Sequence, residues 1–254
     1  MWDISVSDSV NETIRAITPS GDVTTLAGLA RSYGYADGTG NTARFHNPMG
    51  LATDSSNNVY VADNANQVVR KVTSAGVVTT LAGYPGSSGA ADGTGNAARF
   101  YSLNFVAVDS SGNVYVADTS NQAIRKITPN GVVTTLAGQS GNPGSADGVG
   151  SVARFYQPSG IIVNSSGNLF VADMANYTIR ATQPLTTPVN QFITFAPLPN
   201  HSAGDAPFTL TATSSSGLPV YLNVLSGPAS LGTNNVLTLL GGGTVNLVAW
   251  PSWC

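Results

Sequence analysis

Short runs of alternating apolar and polar residues follow one another through roughly the first 180 positions. The clearest set holds four runs of about five to seven residues each, rich in Val, Thr and Tyr, at 50–54, 59–63, 68–73 and 77–83. Turn residues (Gly, Asn and Ser) separate these runs. β-Branched and aromatic residues between such turns are typical of strands. The pattern therefore predicts a meander of four antiparallel strands.

The meander recurs every 55 residues without an insertion. The repeat is marked by an aspartate at the end of the second strand and an arginine in the third, here called the repeat aspartates and repeat arginines: Asp8, Asp63, Asp118 and Asp173; Arg15, Arg70, Arg125 and Arg180. A fixed period of this length indicates units that bury their apolar faces against one another. Repeated four-stranded meanders predict a β-propeller.

One repeat carries residues that resemble a known family. Asn113–Asp118, Asn121, Ile124–Pro129 and Gly131 are similar to the NHL repeat. The resemblance extends over about residues 1–183. It implies a propeller, commonly of six blades, that binds proteins, nucleic acid or small molecules. A minority of NHL-like propellers are metal-dependent lyases.

The predicted strands are too few to form a closed ring of four-stranded blades. The first unit begins at its second strand, near Ile4, and the last unit ends after its third, near Thr182. The predicted fold class is all-β: a partial, open β-propeller of four-stranded antiparallel blades, followed by a small incomplete Ig-like β-sandwich. Either the chain is a fragment of a longer repeat protein, or open blade edges close the ring by self-association.

The repeat pattern stops after residue 183, and the chain divides there. We expect NHL-like blades over 1–183, two complete and two partial, and a Pro- and Thr-rich linker over 184–190. Short alternating strands over 191–254 are similar to bacterial Ig-like modules. This segment is shorter than the roughly 100 residues of a full sandwich, so it is predicted to be truncated.

Composition narrows the functional classes. Charged residues make up 9% of the chain and the net charge is −3, which argues against a nucleic-acid partner. No apolar run is long enough to span a membrane, and the first residues lack the pattern of a secretory signal.

Abundant Gly, Ser, Thr and Asn favour an extracellular or cell-surface bacterial protein. The single cysteine, Cys254, forms no internal disulfide.

Residues present in every copy are interpreted as structural. Each repeat aspartate is expected to accept backbone N–H groups of a turn, and each repeat arginine to pair with an acid of its own or a neighbouring blade. The loop Ala91–Phe100 recurs at 36–45 and 146–155. Its aspartate is expected to pair with the arginine across the same loop, and its phenylalanine to fill the space between blades. Neither a phosphate motif nor a calcium loop fits, so no cofactor or metal is predicted.

Catalytic residue types are scarce, so the chain is predicted not to be an enzyme. Its two histidines fall in different predicted domains, and Glu12 is its only glutamate. Positions that vary between copies are the candidates for binding, and the predicted ligand-binding residues are His46, Tyr101, Tyr156, Tyr35 and Tyr84. Met49, Asn104 and Ser159 also vary, a few residues further on. All are expected on one face, near the mouth of the channel.

Three functions remain open at this point. The first is a non-enzymatic extracellular binding or adhesion module that presents its loop face to a glycan, peptide or protein. The second is a structural spacer array in a large bacterial surface protein, with no dedicated ligand. The third is a fragment of an NHL-type metal-dependent lyase whose histidines lie on other blades.

Overall fold

The computed structural model describes residues 4–182, 192–215 and 220–251. The chain divides into two compact units, with the boundary after residue 185. Both units are built from β-strands with short 3₁₀ turns.

The first unit holds sixteen strands among its described residues. They are β1 (Ile4–Asp8), β2 (Thr13–Ile17), β3 (Val23–Ala27), β4 (Gly38–Thr39), β5 (Pro48–Thr53), β6 (Val59–Asp63), β7 (Val68–Val72), β8 (Val77–Gly83), β9 (Gly93–Thr94), β10 (Leu103–Val108), β11 (Val114–Asp118), β12 (Ala123–Ile127), β13 (Val132–Gly138), β14 (Pro158–Val163), β15 (Leu169–Asp173) and β16 (Thr178–Ala181). Its 3₁₀ turns are Ser9–Asn11, Gly40–Thr42, Gly95–Ala97, Thr119–Asn121, Gly150–Val152 and Met174–Asn176.

These strands form four antiparallel sheets, here called blades. Blade 1 is β1-β2-β3, blade 2 is β5-β6-β7-β8, blade 3 is β10-β11-β12-β13 and blade 4 is β14-β15-β16. The predicted meanders are therefore present, with the predicted three-stranded sheets at both ends. The structure adds one detail: β4 and β9 pair with the outer edges of β8 and β13, which gives blades 2 and 3 a fifth, two-residue strand.

Apolar residues pack between the blades rather than within them. Each interface has its own core, and each core contains the phenylalanine of one recurring loop: Phe45 between blades 1 and 2, Phe100 between blades 2 and 3, and Phe155 between blades 3 and 4. Alternate strand residues point to opposite faces of a blade. Tyr60 thus belongs to the core shared with blade 3, while its neighbour Val59 belongs to the core shared with blade 1.

Two hydrogen bonds also recur at each interface. Side chains of Ser9, Asn64 and Thr119 donate to the backbone carbonyl 39 residues ahead, at the start of the next blade's inner strand. Side chains of Glu12, Gln67 and Gln122 accept from the backbone N–H 35 residues ahead. Blade 4 carries Met174 and Tyr177 at the corresponding positions, and Tyr177 is 95% exposed. The outward face of blade 4 therefore lacks both connecting groups.

The second unit is a set of small antiparallel sheets. Its described strands are β17 (Ile193–Phe195), β18 (Phe208–Thr209), β19 (Ala212–Ser214), β20 (Val220–Ser226), β21 (Ala229–Leu231), β22 (Val236–Leu239) and β23 (Asn246–Pro251), with a 3₁₀ turn at Thr233–Asn235. They pair as β17-β19, β18-β22-β21 and β20-β23. Leu210 and Leu237 are buried, and the rings of His201 and Phe208 stack at 3.6 Å. The predicted linker at 184–190 lies outside the described residues.

Candidate ligand-binding site

The repeat aspartates and arginines form ion pairs inside the blades. In blade 3, Arg125 Nη1 donates to Asp118 Oδ2 at 2.8 Å, and both side chains are buried. Asp118 also accepts the Tyr101 N–H and a bond from Asn121. Asp63 and Arg70 repeat this arrangement in blade 2. These groups hold the second-to-third-strand turn against the incoming loop, and they are not exposed to a ligand.

The loop aspartates do not pair as expected. The prediction that Asp92 pairs with Arg99 across its own loop is wrong, because Asp92 accepts from Arg125 Nη2 at 2.7 Å instead. Asp37 binds Arg70 in the same way, and Asp147 binds Arg180. Each of these three repeat arginines thus joins two acids, one from its blade and one from the preceding loop.

The loop arginines have other partners. Arg44, Arg99 and Arg154 donate to carbonyl oxygens of their own turn. One terminal nitrogen of each guanidinium, Nη1, is therefore engaged within its own loop, and the loop aspartates bind the repeat arginines instead.

Burial changes the acidity of the repeat aspartates. Desolvation raises the pKa of Asp63 and of Asp118 to about 6, against the opposing effect of the arginine and the hydrogen bonds that each accepts. At the turns before the second strands the balance is reversed. Desolvation raises the pKa there too, but hydrogen bonds, among them those from Asn58 and Asn113, outweigh it and lower the pKa of Asp54 and Asp109. These turns close by Asp–Asn bonding, without need of a cation.

Three of the residues predicted to bind a ligand have local side-chain partners. The His46 ring stacks on Tyr33 at 4.9 Å. The Tyr35 hydroxyl lies 2.8 Å from Thr80 Oγ1, on the outer strand of blade 2, and the Tyr84 ring lies beside Arg99. Tyr101 and Tyr156 are about half exposed on successive blades. The four tyrosine rings are exposed, and none of the five residues lines the cleft described next.

A cleft lies among the inner strands of blades 2, 3 and 4 and beside β1 of blade 1. Its volume is about 660 Å³. Four blades line it: Ser5, Val6, Ser7 and Ser9 from blade 1; Met49, Gly50 and Leu51 from blade 2; Asn104 and Phe105 from blade 3; Ser159 and Gly160 from blade 4. Met49, Asn104 and Ser159, which differ between copies in the sequence, therefore come together here. The cleft is called the inner-strand cleft below.

A glycine determines the shape of this cleft. Phe105 packs against Gly50, where an added Cβ would be only 2.4 Å from the ring. Any larger residue at position 50 would displace Phe105. The ring is left partly exposed, which offers an apolar surface beside the Asn104 amide. Glycine-on-aromatic packing across two blades has no signal in either strand alone, so the sequence did not indicate it.

The chemistry of the inner-strand cleft is neutral. Its lining combines four serines from blades 1 and 4, one amide, and apolar side chains that include Met49 and Phe105. No acid, base or cation is among the residues that line this cleft. In the described part of the chain, no three His, Cys, Asp or Glu side chains converge as metal ligands would. The arrangement is suited to hydrogen bonding and apolar contact.

Sequence comparison places the NHL repeat within this unit. The NHL repeat family model matches residues 100–127. The protein SUPPRESSOR OF QUENCHING 1, chloroplastic, of Arabidopsis thaliana is 28% identical over 71% of this chain and 17% of its own length. NHL repeat-containing protein 2 of Bos taurus is 32% identical over 47% of this chain and 18% of its own. The chain thus spans less than a fifth of either relative.

Solved structures share the fold of the first unit. An auxiliary nutrient binding protein from Bacteroides thetaiotaomicron superposes with a TM-score of 0.56 at 20% identity, covering 70% of this chain and 44% of that one. A structural genomics protein from the same organism gives 0.58 at 26% identity, covering 70% and 43%. The all-β chain therefore has a β-propeller-like fold with NHL-repeat character. No helix within the described ranges has the length and apolar character needed to cross a membrane.

Proposed function

We propose that the first unit is a non-enzymatic binding module that holds an uncharged glycan in the inner-strand cleft. The observation that carries the proposal is the lining: hydroxyls and an amide beside an exposed Phe105 ring, without a titratable group. Sugars present hydroxyls and an apolar ring face, and both find partners here. The exposed tyrosines at positions 101 and 156 would add contacts on the loop face for a larger glycan, peptide or protein.

Two structural neighbours are named as binding proteins. They bear the name auxiliary nutrient binding protein, at 20% and 21% identity. That likeness shows the fold alone, so the binding role of this chain rests on the cleft. We further propose that the blades form an open propeller, that the second unit is a truncated Ig-like spacer, and that the protein works outside a bacterial cell.

A glycan array tests the proposal. The labelled chain should bind uncharged glycans, and Ser159→Trp, which fills the inner-strand cleft, should abolish the signal. Ser166→Trp is the matched control, because Ser166 lies on the exposed turn between β14 and β15. A signal equal in all three proteins would remove the cleft from consideration.

The same array separates the cleft from the loop face. Tyr101→Ala with Tyr156→Ala should weaken binding of extended glycans without lowering the thermal stability, since both rings are about half exposed. If the tyrosine variant loses all binding while Ser159→Trp binds normally, the ligand sits on the loop face. Absence of binding to any glycan by the unaltered chain would refute the glycan proposal.

A further inference from the structure

The interface between blades 2 and 3 contains a pair of side-chain amides that the other two interfaces lack. Asn64 Nδ2 donates to the Leu103 carbonyl at 2.7 Å and to Asn104 Oδ1 at 3.1 Å. At the corresponding positions of blades 1 and 3, Ser9 and Thr119 reach only backbone carbonyls. The longer side chain of Asn64 therefore contacts one group more, and that group belongs to the lining of the inner-strand cleft.

These two bonds determine the orientation of both amides. A backbone carbonyl only accepts hydrogen bonds, so Asn64 has to turn its NH2 group toward Leu103. The second N–H of that group points at Asn104, which presents its carbonyl oxygen in return. The NH2 group of Asn104 remains, and in the described part of the chain it donates to no other group. Because Asn104 lines the inner-strand cleft, the cleft contains an oriented donor.

A β-bulge places this donor next to the Phe105 ring. The register of β10 against β11 shifts between Leu103 and Phe105, so Asn104 is the extra residue of the bulge. Successive residues of a regular strand point to opposite faces, whereas a bulge redirects a side chain. Asn104 and Phe105 accordingly both line the cleft, together with Met49 of β5. The Phe105 ring is 40% exposed, so the donor lies beside an accessible apolar surface.

We propose that Asn104 and Phe105 recognise the 2-acetamido group of a neutral sugar, an inference that rests on the glycan proposal above. The acetamido carbonyl oxygen accepts from Asn104 Nδ2, and the methyl group packs on Phe105 and Met49. A hydroxyl at the same carbon can accept this bond, but it has no methyl group to cover the apolar surface. Asn64 does not line the cleft. It is a positioning residue, which acts by holding the Asn104 amide in this orientation.

Sugars that differ only at carbon 2, with a hydroxyl in one and an acetamido group in the other, test the proposal on the full chain. The pair is matched to the linkage that the array selects; for a β-1,4 linkage it is cellotetraose and N-acetylated chitotetraose. Calorimetric titration should give a Kd about tenfold lower for the acetamido sugar, the effect of one hydrogen bond with its apolar contact. Asn104→Ser, which removes the amide donor and has the residue type of Ser159 in blade 4, should make the two Kd values equal.

Two further variants separate positioning from folding. Asn64→Thr retains a hydroxyl for the Leu103 carbonyl, as Thr119 has for the Pro158 carbonyl, but it releases the Asn104 amide. Its preference for the acetamido sugar should fall at least threefold, while its Kd for the hydroxyl sugar and its urea midpoint stay unchanged. A purely structural role would weaken both sugars equally. Thr119→Ser, the matched change at the next interface, should keep the full preference.

The outcomes distinguish this inference from the glycan proposal. Equal Kd values for the two sugars of a pair, a preference for the hydroxyl sugar, or an undiminished preference in Asn104→Ser would overturn the acetamido inference and leave glycan binding in place. An undiminished preference in Asn64→Thr would overturn the positioning role of Asn64. Absence of binding to every glycan would refute both, because the inference depends on the proposed function.

Discussion

Arg125 and Arg15 occupy the same repeat position but should differ sharply in their contribution to stability. Replacing Arg125 by Met leaves Asp118 fully buried, with hydrogen bonds from Tyr101 and Asn121 but without its cation. It also removes the ion pair to Asp92, whose loop is then held at this residue only by Thr135. Removal of one partner of a buried ion pair costs about 3–5 kcal/mol. We expect a loss of this size in the free energy of unfolding.

Arg15→Met is the matched control, with the same change of charge and volume. Arg15 and Asp8 are each about 30% exposed, at 3.5 Å, so water solvates Asp8 when Arg15 is removed. Exposed pairs contribute at most about 1 kcal/mol. The two variants should therefore differ by about 2–5 kcal/mol.

Urea unfolding of the full chain at pH 7, followed by far-UV circular dichroism, measures the difference. We also expect a protease to cut the 86–99 loop faster in Arg125→Met, whereas Arg15→Met should leave the cleavage rate unchanged. Equal losses in the two variants, or a neutral Arg125→Met, would refute the claim that the twice-paired arginines hold the loops between blades.

Two further predictions concern the backbone and the buried acids. Gly138 and Gly141 both have a positive φ, which costs an alanine about 1–2 kcal/mol. Gly138→Ala should destabilise the chain by more than Gly141→Ala, because of these two positions only Gly138 would bring the new Cβ against a carbonyl oxygen, that of Gln122, at 2.3 Å. Equal losses of unfolding free energy in urea would contradict this. Because folding raises the pKa of Asp63 and Asp118 from 3.8 to about 6, the native state binds protons more tightly, so their contribution to stability is full below pH 3.8 and is lost as the pH rises through 6. Each accounts for about 3 kcal/mol, and Asp118→Asn should flatten part of the decline between pH 4 and 6 in unfolding experiments; an unaltered chain whose stability rises over that range would contradict the sign.

The strands and the blades could be predicted from the sequence alone. A run such as Val59–Asp63 alternates between two buried faces and ends at an Asp before a turn, and the 55-residue period determines where each copy recurs. The same count predicts that the described part of blade 1 begins with the second strand of its repeat, as β1 does.

The ion pairs of the loop aspartates and the lining of the inner-strand cleft depend on three-dimensional packing, which the sequence alone does not show. Asp92 and Arg99 are near in sequence, but the loop turns Arg99 onto carbonyls and carries Asp92 to an arginine 33 residues away. The inner-strand cleft is lined by strands of four different blades. Variation between copies indicated Met49, Asn104 and Ser159, whereas the contribution of Phe105 depends on packing against Gly50 across two blades.

Calorimetric titration of an uncharged glycan selected on the array tests the central claim most directly. A cleft without charged lining predicts the same Kd at roughly 50 mM and roughly 500 mM salt, because screening acts only on charges. Binding should disappear in Ser159→Trp and persist in Ser166→Trp. A Kd that weakens tenfold or more with salt, or full binding by Ser159→Trp, would contradict the assignment of the inner-strand cleft as a site for a neutral ligand.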